Sequence, residues 1–171
     1  MIEITRIKNE QGENVGFRCF GHAGFARHGK DVVCADLDIV NPYFRSKDAR
    51  CALEKKGIGM IASEYANTNV DLPSLPPNIY AAFEKEGYVI FDVGGDDDGA
   101  TALGRFYEKF SEKEYDMLGV VNTKRPLTMT KEEIADALTA IETASRLKLT
   151  GIVNNTNISV ETTAEIVNRG T

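Results

Sequence analysis

The sequence predicts an α/β fold in which a mostly parallel β-sheet is flanked by helices. Short apolar runs alternate with segments of helical character along most of the chain. This order is typical of a parallel sheet that is covered on both faces. Polar side chains follow several of the apolar runs, at the strand ends where such sheets bind ligands. The length of 171 residues is enough for one domain that buries its own core.

Composition excludes several classes of protein. A net charge of −6 argues against a general nucleic-acid or anionic-membrane surface. No run approaches the roughly 20 apolar residues of a membrane span, and the charged, alternating start does not resemble a signal peptide. The three cysteines are odd in number and lack metal-site spacing, so reduced thiols and a cytoplasmic location are expected. A homodimer is one option that composition leaves open.

The N-terminal part of the chain predicts a β-hairpin. Residues 2–8 alternate between apolar and polar, residues 15–20 form a second apolar run, and the polar residues between them form a turn. A glycine-rich loop follows over residues 21–29. Residues 31–35 are then almost wholly apolar. They form either a buried parallel strand or the start of a buried helix, and periodicity does not distinguish the two.

The remaining elements alternate between helix and strand. A helix over residues 46–56 ends at Gly57, and Thr130 opens a further helix through a capping box with Glu133. Residues 63–77 are a long connection rich in Asn and Pro. The other predicted elements are strands at 58–62, 88–92, 117–121 and 149–153, and helices at 78–86, 99–113 and 160–168.

His22 and Cys34 suggest thiol chemistry, because an imidazole near a thiol can generate the nucleophilic thiolate. The alternative is that Cys34 only packs in an apolar core. The motifs are Gly-His-Ala-Gly at residues 21–24 and Gly-Lys-Asp-Val-Val-Cys-Ala at residues 29–35. With them, residues 1–35 resemble the ribosomal-processing cysteine protease family, Prp. The resemblance implies that His22 is the base, Cys34 is the nucleophile, no cofactor is needed, and the substrate is a ribosomal protein precursor with an N-terminal extension.

A second resemblance covers residues 36–171. It rests on Asp-Leu-Asp-Ile-Val-Asn-Pro-Tyr at 36–43, Phe-Asp-Val-Gly-Gly-Asp at 91–96 and Val-Asn-Asn-Thr at 153–156. These stretches are similar to the MinD/ParA-like P-loop ATPases. By that resemblance Asp38 orients the attacking water, Asp92 serves Mg²⁺, and Asn154 or Asn155 contacts the adenine of ATP.

The phosphate-binding loop of those ATPases is absent here. No Gly-rich loop with a Lys-Ser or Lys-Thr end follows a strand, and the backbone N–H groups of that loop normally hold the phosphates. ATP hydrolysis is therefore not expected. The family's first strand, which lies inside the sheet, is missing as well. The N-terminal hairpin is expected either at an edge of the sheet or in place of that strand.

The two resemblances meet within residues 29–36, where the sequence satisfies both patterns. This predicts a fusion of a Prp-like fragment, residues 1–35, with an NTPase-like core, residues 36–171. Three hypotheses for function follow. The first is a thiol peptidase acting through His22 and Cys34. The second is an ATP-binding module or degenerate ATPase, and the third is a folded fusion product without activity.

Overall fold

A computed structural model describes residues 2–5, 31–37, 53–55, 57–61 and 79–170. Six strands form one sheet: Ile2–Thr5 (β1), Val32–Asp36 (β2), Gly59–Ile61 (β3), Tyr88–Val93 (β4), Asp116–Val121 (β5) and Gly151–Asn154 (β6). The helices whose bounds lie within these residues are Ile79–Phe83 (α1), Asp97–Gly104 (α2), Tyr107–Ser111 (α3), Lys131–Ser145 (α4) and Ala164–Asn168 (α5).

The strand order across the sheet is β3-β2-β4-β1-β5-β6. Strand β2 runs parallel to β3 and β4, and β5 runs parallel to β6. Only β1 is antiparallel to its neighbours. The predicted α/β class with a mostly parallel sheet is therefore confirmed.

The N-terminal strand β1 lies inside the sheet. Its four residues pair with Ile90–Val93 on one side and with Asp116–Gly119 on the other. Strand β1 thus joins β4 to β5. Without it, β4 and β5 would each have an unpaired edge. Because both edges of β1 are occupied, this arrangement differs from the predicted hairpin, whose second strand, residues 15–20, falls outside the described residues. Of the two expected positions, β1 takes the one inside the sheet.

The apolar run at residues 31–35 forms a strand, which resolves the choice between strand and helix. All five residues of β2 are buried, and β2 lies between β3 and β4. Alternation along the strand sends Val33 and Ala35 into one apolar cluster, and Val32 and Cys34 into another on the opposite face.

The larger cluster is built around aromatic rings. The Phe83 ring lies 5.0 Å from that of Phe91, 5.5 Å from that of Phe106 and 5.0 Å from that of Phe110. These four residues are at most 5% exposed. Offset and edge-on ring contacts of this kind add about 0.5–1.5 kcal/mol each beyond area burial, so this cluster is the main apolar core.

Two helix ends agree with the sequence signals. Gly57 has φ 75°, its N–H donates to Glu54 O, and the N–H of Ile58 donates to Leu53 O. These bonds are those of a Schellman motif, in which glycine takes the left-handed position. At Thr130, Oγ1 accepts from the N–H of Glu133, whose carboxylate accepts from the N–H of Thr130, so the predicted capping box is confirmed.

The helix predicted over residues 99–113 is divided, which corrects that boundary. Helix α2 ends at Gly104, and α3 begins at Tyr107. The break turns Phe106 into the core, where it is 2% exposed. Tertiary burial of this ring outweighs the continuity of the helical pattern. The last predicted helix is likewise reduced to a 3-10 turn, Ser159–Glu161, and the short helix α5.

Within the described ranges, no helix combines the length and the apolar character that crossing a membrane requires.

Candidate functional site

Cys34 lies in the middle of the buried strand β2 and is 0% exposed. Its register neighbours are Met60 on β3 and Ile90 on β4, and its cluster includes Leu53 and Ile58. The local sequence explains this, because consecutive valines favour a strand that is covered on both faces. As a strand residue, Cys34 does not occupy the helix N-terminus that would help to ionise a thiol.

The proposed base, His22, falls outside the described residues, and so does Asp38. The thiol–imidazole pair and the water-orienting role of Asp38 therefore stay predictions. What the fold establishes is the side of the sheet on which His22 would have to meet Cys34. That side is the face that carries Leu53 and Ile58.

Two carboxylates lie side by side where β2 and β4 end. Asp36 and Asp92 are register partners and are 6% and 9% exposed. The chain is held together at this point by a 2.7 Å hydrogen bond from the N–H of Leu37 to Asp92 O. Asp36 and Asp92 are thus polar side chains at strand ends, where the sequence pattern predicts them. Whether Asp92 serves Mg²⁺ stays a prediction.

A cavity of about 470 Å³ opens at the carboxyl ends of the strands, beside β5. Its walls come from the start of α2, the loop after β5, the middle of α4 and the segment after β6. The polar residues that line it are Asp96, Asp97, Asn122, Arg125, Thr128, Asn155 and Asn157, and the apolar ones include Val120, Ala137, Ala140 and Ile141. Ile141 also belongs to the larger apolar cluster, which lies on the opposite face of the sheet from Cys34. The cavity therefore lies on that opposite face as well.

The two asparagines predicted to contact a base differ in their surroundings. Asn154 is held within the fold: its Nδ2 donates to Val167 O at 2.7 Å and its Oδ1 accepts from the N–H of Thr156 at 2.9 Å. Asn155 lines the cavity, and its backbone N–H donates to Val121 O. The side chain of Asn155 makes no hydrogen bond to the part of the chain that is described. Asn155 is therefore the better placed of the two to meet a ligand.

Asn122 organises the loop after β5. Its Nδ2 donates to Asn157 O at 3.0 Å, and its Oδ1 accepts from the N–H groups of Lys124 and Asn157. Its carbonyl accepts from Oγ1 of Thr128. A side chain with these bonds builds a turn, in agreement with the structural role that its position in a strand-end loop suggests.

The rim of the cavity does not suit a triphosphate. The one helix N-terminus at the cavity belongs to α2, where Asp96 caps the helix by accepting from the N–H of Gly99 at 2.8 Å and Asp97 follows. A carboxylate at this position takes the helix-terminal donor and repels phosphate, whereas a phosphate cradle offers its N–H groups freely. Among the residues that the structure describes, no group of three or more His, Cys, Asp or Glu side chains is arranged to hold a metal.

Sequence reasoning missed the wall that α4 contributes. Ala137, Ala140 and Ile141 have the spacing of one helix face, and two of the three are small. Small residues on a helix face leave room beside the helix, and this was the signal in the sequence that could have indicated a cavity. The same pattern also occurs where two helices pack closely. Helix α2 packs closely in this way on the C-terminal part of α4.

A sequence model of the cysteine protease Prp family matches residues 1–40. This stretch includes His22 and Cys34 and continues five residues past the predicted end of the Prp-like fragment at residue 35. No curated protein and no solved structure matches the chain. The MinD/ParA-like resemblance of residues 36–171 receives no support from these comparisons, and the N-terminal stretch is similar to the cysteine protease Prp family.

Proposed function

We propose that the chain is a thiol peptidase of the Prp type, with Cys34 as the nucleophile and His22 as the base. The observation that carries this proposal is the family match over residues 1–40, which spans both residues. In such a peptidase the imidazole takes the thiol proton and the thiolate attacks the peptide carbonyl carbon. The substrate that follows from the family is a ribosomal protein precursor, cleaved after its N-terminal extension.

The burial of Cys34 sets the condition for this chemistry. The residue is 0% exposed, and Leu53 and Ile58 cover its face of the sheet. A peptide carbonyl reaches the sulfur only when this cover moves away from β2. The cover adjoins β3, a three-residue strand at the edge of the described sheet, and a short edge strand opens more readily than an interior one. On this proposal, catalysis is limited by opening at the β3 edge.

Site-resolved alkylation tests the proposal. Brief iodoacetamide treatment followed by peptide mass spectrometry separates Cys34 from Cys19 and Cys51. We expect Cys34 to react through a thiolate that forms below the free-cysteine pKa of about 8.5. We expect His22→Ala to abolish that acidic component, and His28→Ala, the matched control, to preserve it.

Cleavage of a peptide that spans a ribosomal-protein N-terminal extension provides the second readout. Cys34→Ser is expected to remove the activity, because the hydroxyl of serine is far less acidic than the thiol. The proposal fails if Cys34 is alkylated only at the rate of global unfolding and His22→Ala leaves that rate unchanged.

A second candidate is a nucleotide-binding module at the cavity, favoured by the position of that cavity at the carboxyl ends of the strands. Asn155 would contact the base. The acidic rim at Asp96 and Asp97 offers no phosphate cradle, so weak binding without hydrolysis is expected.

Thermal unfolding with ATP and Mg²⁺ tests this second candidate. A ligand at 100 times its Kd stabilises the folded state by about 2.7 kcal/mol. Binding at the cavity predicts a shift that Asn155→Ala reduces and that Thr139→Ala, an exposed substitution on α4, does not. A midpoint that stays constant up to millimolar nucleotide would rule the candidate out.

A further inference from the structure

Strand β6 leaves one edge of the sheet open. It is the last strand in the order and pairs only with β5 in the described chain. The N–H of Asn155 donates to Val121 O at 2.7 Å. Because backbone groups alternate along a strand, Val153 also faces β5. Ile152 and Asn154 therefore direct their N–H and C=O groups to the outer edge, which is a template for another strand.

Two of the usual protections of an open edge, charged side chains and proline, are missing from the stretch around β6. Proteins shield such edges with charged side chains, proline, bulges or a covering element. Residues 149–160 contain neither a charged residue nor a proline, although 27% of the chain is charged. In the same stretch Ile152 is 62% exposed and Val160 is 97% exposed. The sequence of β6 and its flanks therefore does not discourage a further strand from pairing with β6. Helix α5 contacts β6 through the side chain of Asn154, and Ile152 stays exposed.

Charge favours a second copy of this chain as the partner. The net charge is −6, so two copies repel each other across most of their surfaces. A twofold contact places the same patch of each copy against itself, so any charged residue near the axis would meet a like charge. The uncharged stretch around β6 avoids this penalty. A neutral edge on an acidic chain is thus electrostatically suited to pairing with itself.

We propose that two copies of the chain dimerise by antiparallel pairing of their β6 strands. The alternation above fixes the register. Val153 lies opposite Val153 of the second copy, and Ile152 lies opposite Asn154. Each Ile152–Asn154 pair exchanges two backbone hydrogen bonds, so the twofold contact contains four. The side-chain amide of Asn154 is already bonded to Val167 and Thr156 and does not compete. The two six-stranded sheets become one continuous sheet.

This inference is independent of the peptidase proposal, because it uses no residue of the thiol site. Its test is the oligomeric state of the full chain, measured by sedimentation velocity over a concentration series. We expect a species of twice the 18.8 kDa chain mass. Ile152→Lys is expected to raise the dimer dissociation constant by about tenfold or more, the equivalent of 1.4 kcal/mol or more. The reason is that this substitution places one lysine in each half of the twofold contact, so that two like charges lie close together.

Ile152→Pro is a second variant with a different mechanism. The N–H of Ile152 points outward, so proline removes a donor of the dimer and no bond between β6 and β5. Tyr80→Lys, at a residue 56% exposed on α1, is the matched control and should leave the dimer intact. Circular dichroism verifies that each variant is folded. The proposal is overturned if the unmodified chain is a monomer throughout the series, if the folded Ile152 variants still dimerise normally, or if Tyr80→Lys weakens the dimer equally.

Discussion

The two halves of the sheet, separated by β1, are held together in different ways. On the β2–β4 side every residue of β2 is buried, and apolar and aromatic side chains cover both faces. On the β5–β6 side exposure rises toward the edge, and no residue of β6 is fully buried. There, side-chain amides and hydroxyls hold the loops, as in the bonds of Asn122 to residue 157 and of Thr156 to residue 123.

This difference shows that a catalytic motif in the sequence does not imply that its residues are accessible in the fold. Cys34, which carries the strongest motif, lies on one of the least accessible strands. Strand β6 forms an open edge of the described sheet, although its own sequence carries little sign of reactivity. The asparagines at the end of β6 were predicted to contact a base, yet Asn154 fastens β6 to α5. Accessible chemistry is therefore expected at the β5–β6 side, and gated chemistry at β2.

The largest effect expected from this comparison comes from truncating the same residue type in each half. Ile90 is 2% exposed and lies beside Cys34, whereas Ile152 is 62% exposed. Ile90→Ala should lower the free energy of unfolding by about 2–5 kcal/mol because it leaves a cavity. Ile152→Ala should change it by less than about 0.5 kcal/mol. Urea titration of both variants gives the two values. It is done at low protein concentration, where the proposed dimer would be dissociated. Equal losses would remove the distinction between the halves.

A smaller effect is expected where α2 and α4 join the two halves. A Cβ on Gly104 would lie 2.7 Å from Ala144 O. Helix propensity alone favours Gly104→Ala by about 0.5–1 kcal/mol. Overpacking against backbone costs about 1–3 kcal/mol, so we expect net destabilisation. Thr101→Ala, on the exposed side of α2, is the control for the urea titration. A more stable Gly104→Ala variant would mean that the helices separate freely.

The smallest effect concerns the ion pair between Glu142 and Lys148, which precedes β6 in the chain. The ammonium of Lys148, 2.9 Å from Glu142 Oε2, and then the N–H of Leu149 hold the pKa of Glu142 below its ordinary value of 4.5. Since the folded-state pKa is lowered, this carboxylate stabilises the fold above about pH 4.5, and the contribution disappears as the pH falls through the lowered pKa. Lys148 is highly exposed, so solvent screening keeps the effect of Glu142→Gln below about 1 kcal/mol.

Thermal melts at pH 7 and pH 3 measure that dependence. The unmodified chain should exceed Glu142→Gln in stability at pH 7, and the difference should shrink at pH 3. Thr139→Ala, an exposed position on the same helix that carries no titratable group, is the control and should show no such trend. A difference that stays constant with pH would mean that the amide replaces the carboxylate fully.

Local signals in the sequence predicted many of the elements. Apolar runs located β3 through β6 because each has the length and side-chain type of a strand, whereas the run that forms β2 was predicted as either a strand or the start of a helix. Gly57 and Thr130 marked helix ends because their left-handed conformation and capping hydroxyl are local properties. The helix over residues 99–113 was predicted without its break, because the burial of Phe106 depends on residues that are distant in the chain. The cavity was predicted only as a set of strand ends, and its wall on α4 was not predicted.

The sequence by itself determined the α/β class, the run that becomes β2 and the thiol motif within it, since these depend on residue type and short-range spacing. Tertiary structure alone decided that β1 enters the sheet between β4 and β5, that Cys34 is covered while β6 is open, and that Asn154 and Asn155 have different partners. The physical reason is that pairing and burial depend on which surfaces meet. Those surfaces come from segments far apart in the chain, so no local pattern specifies them.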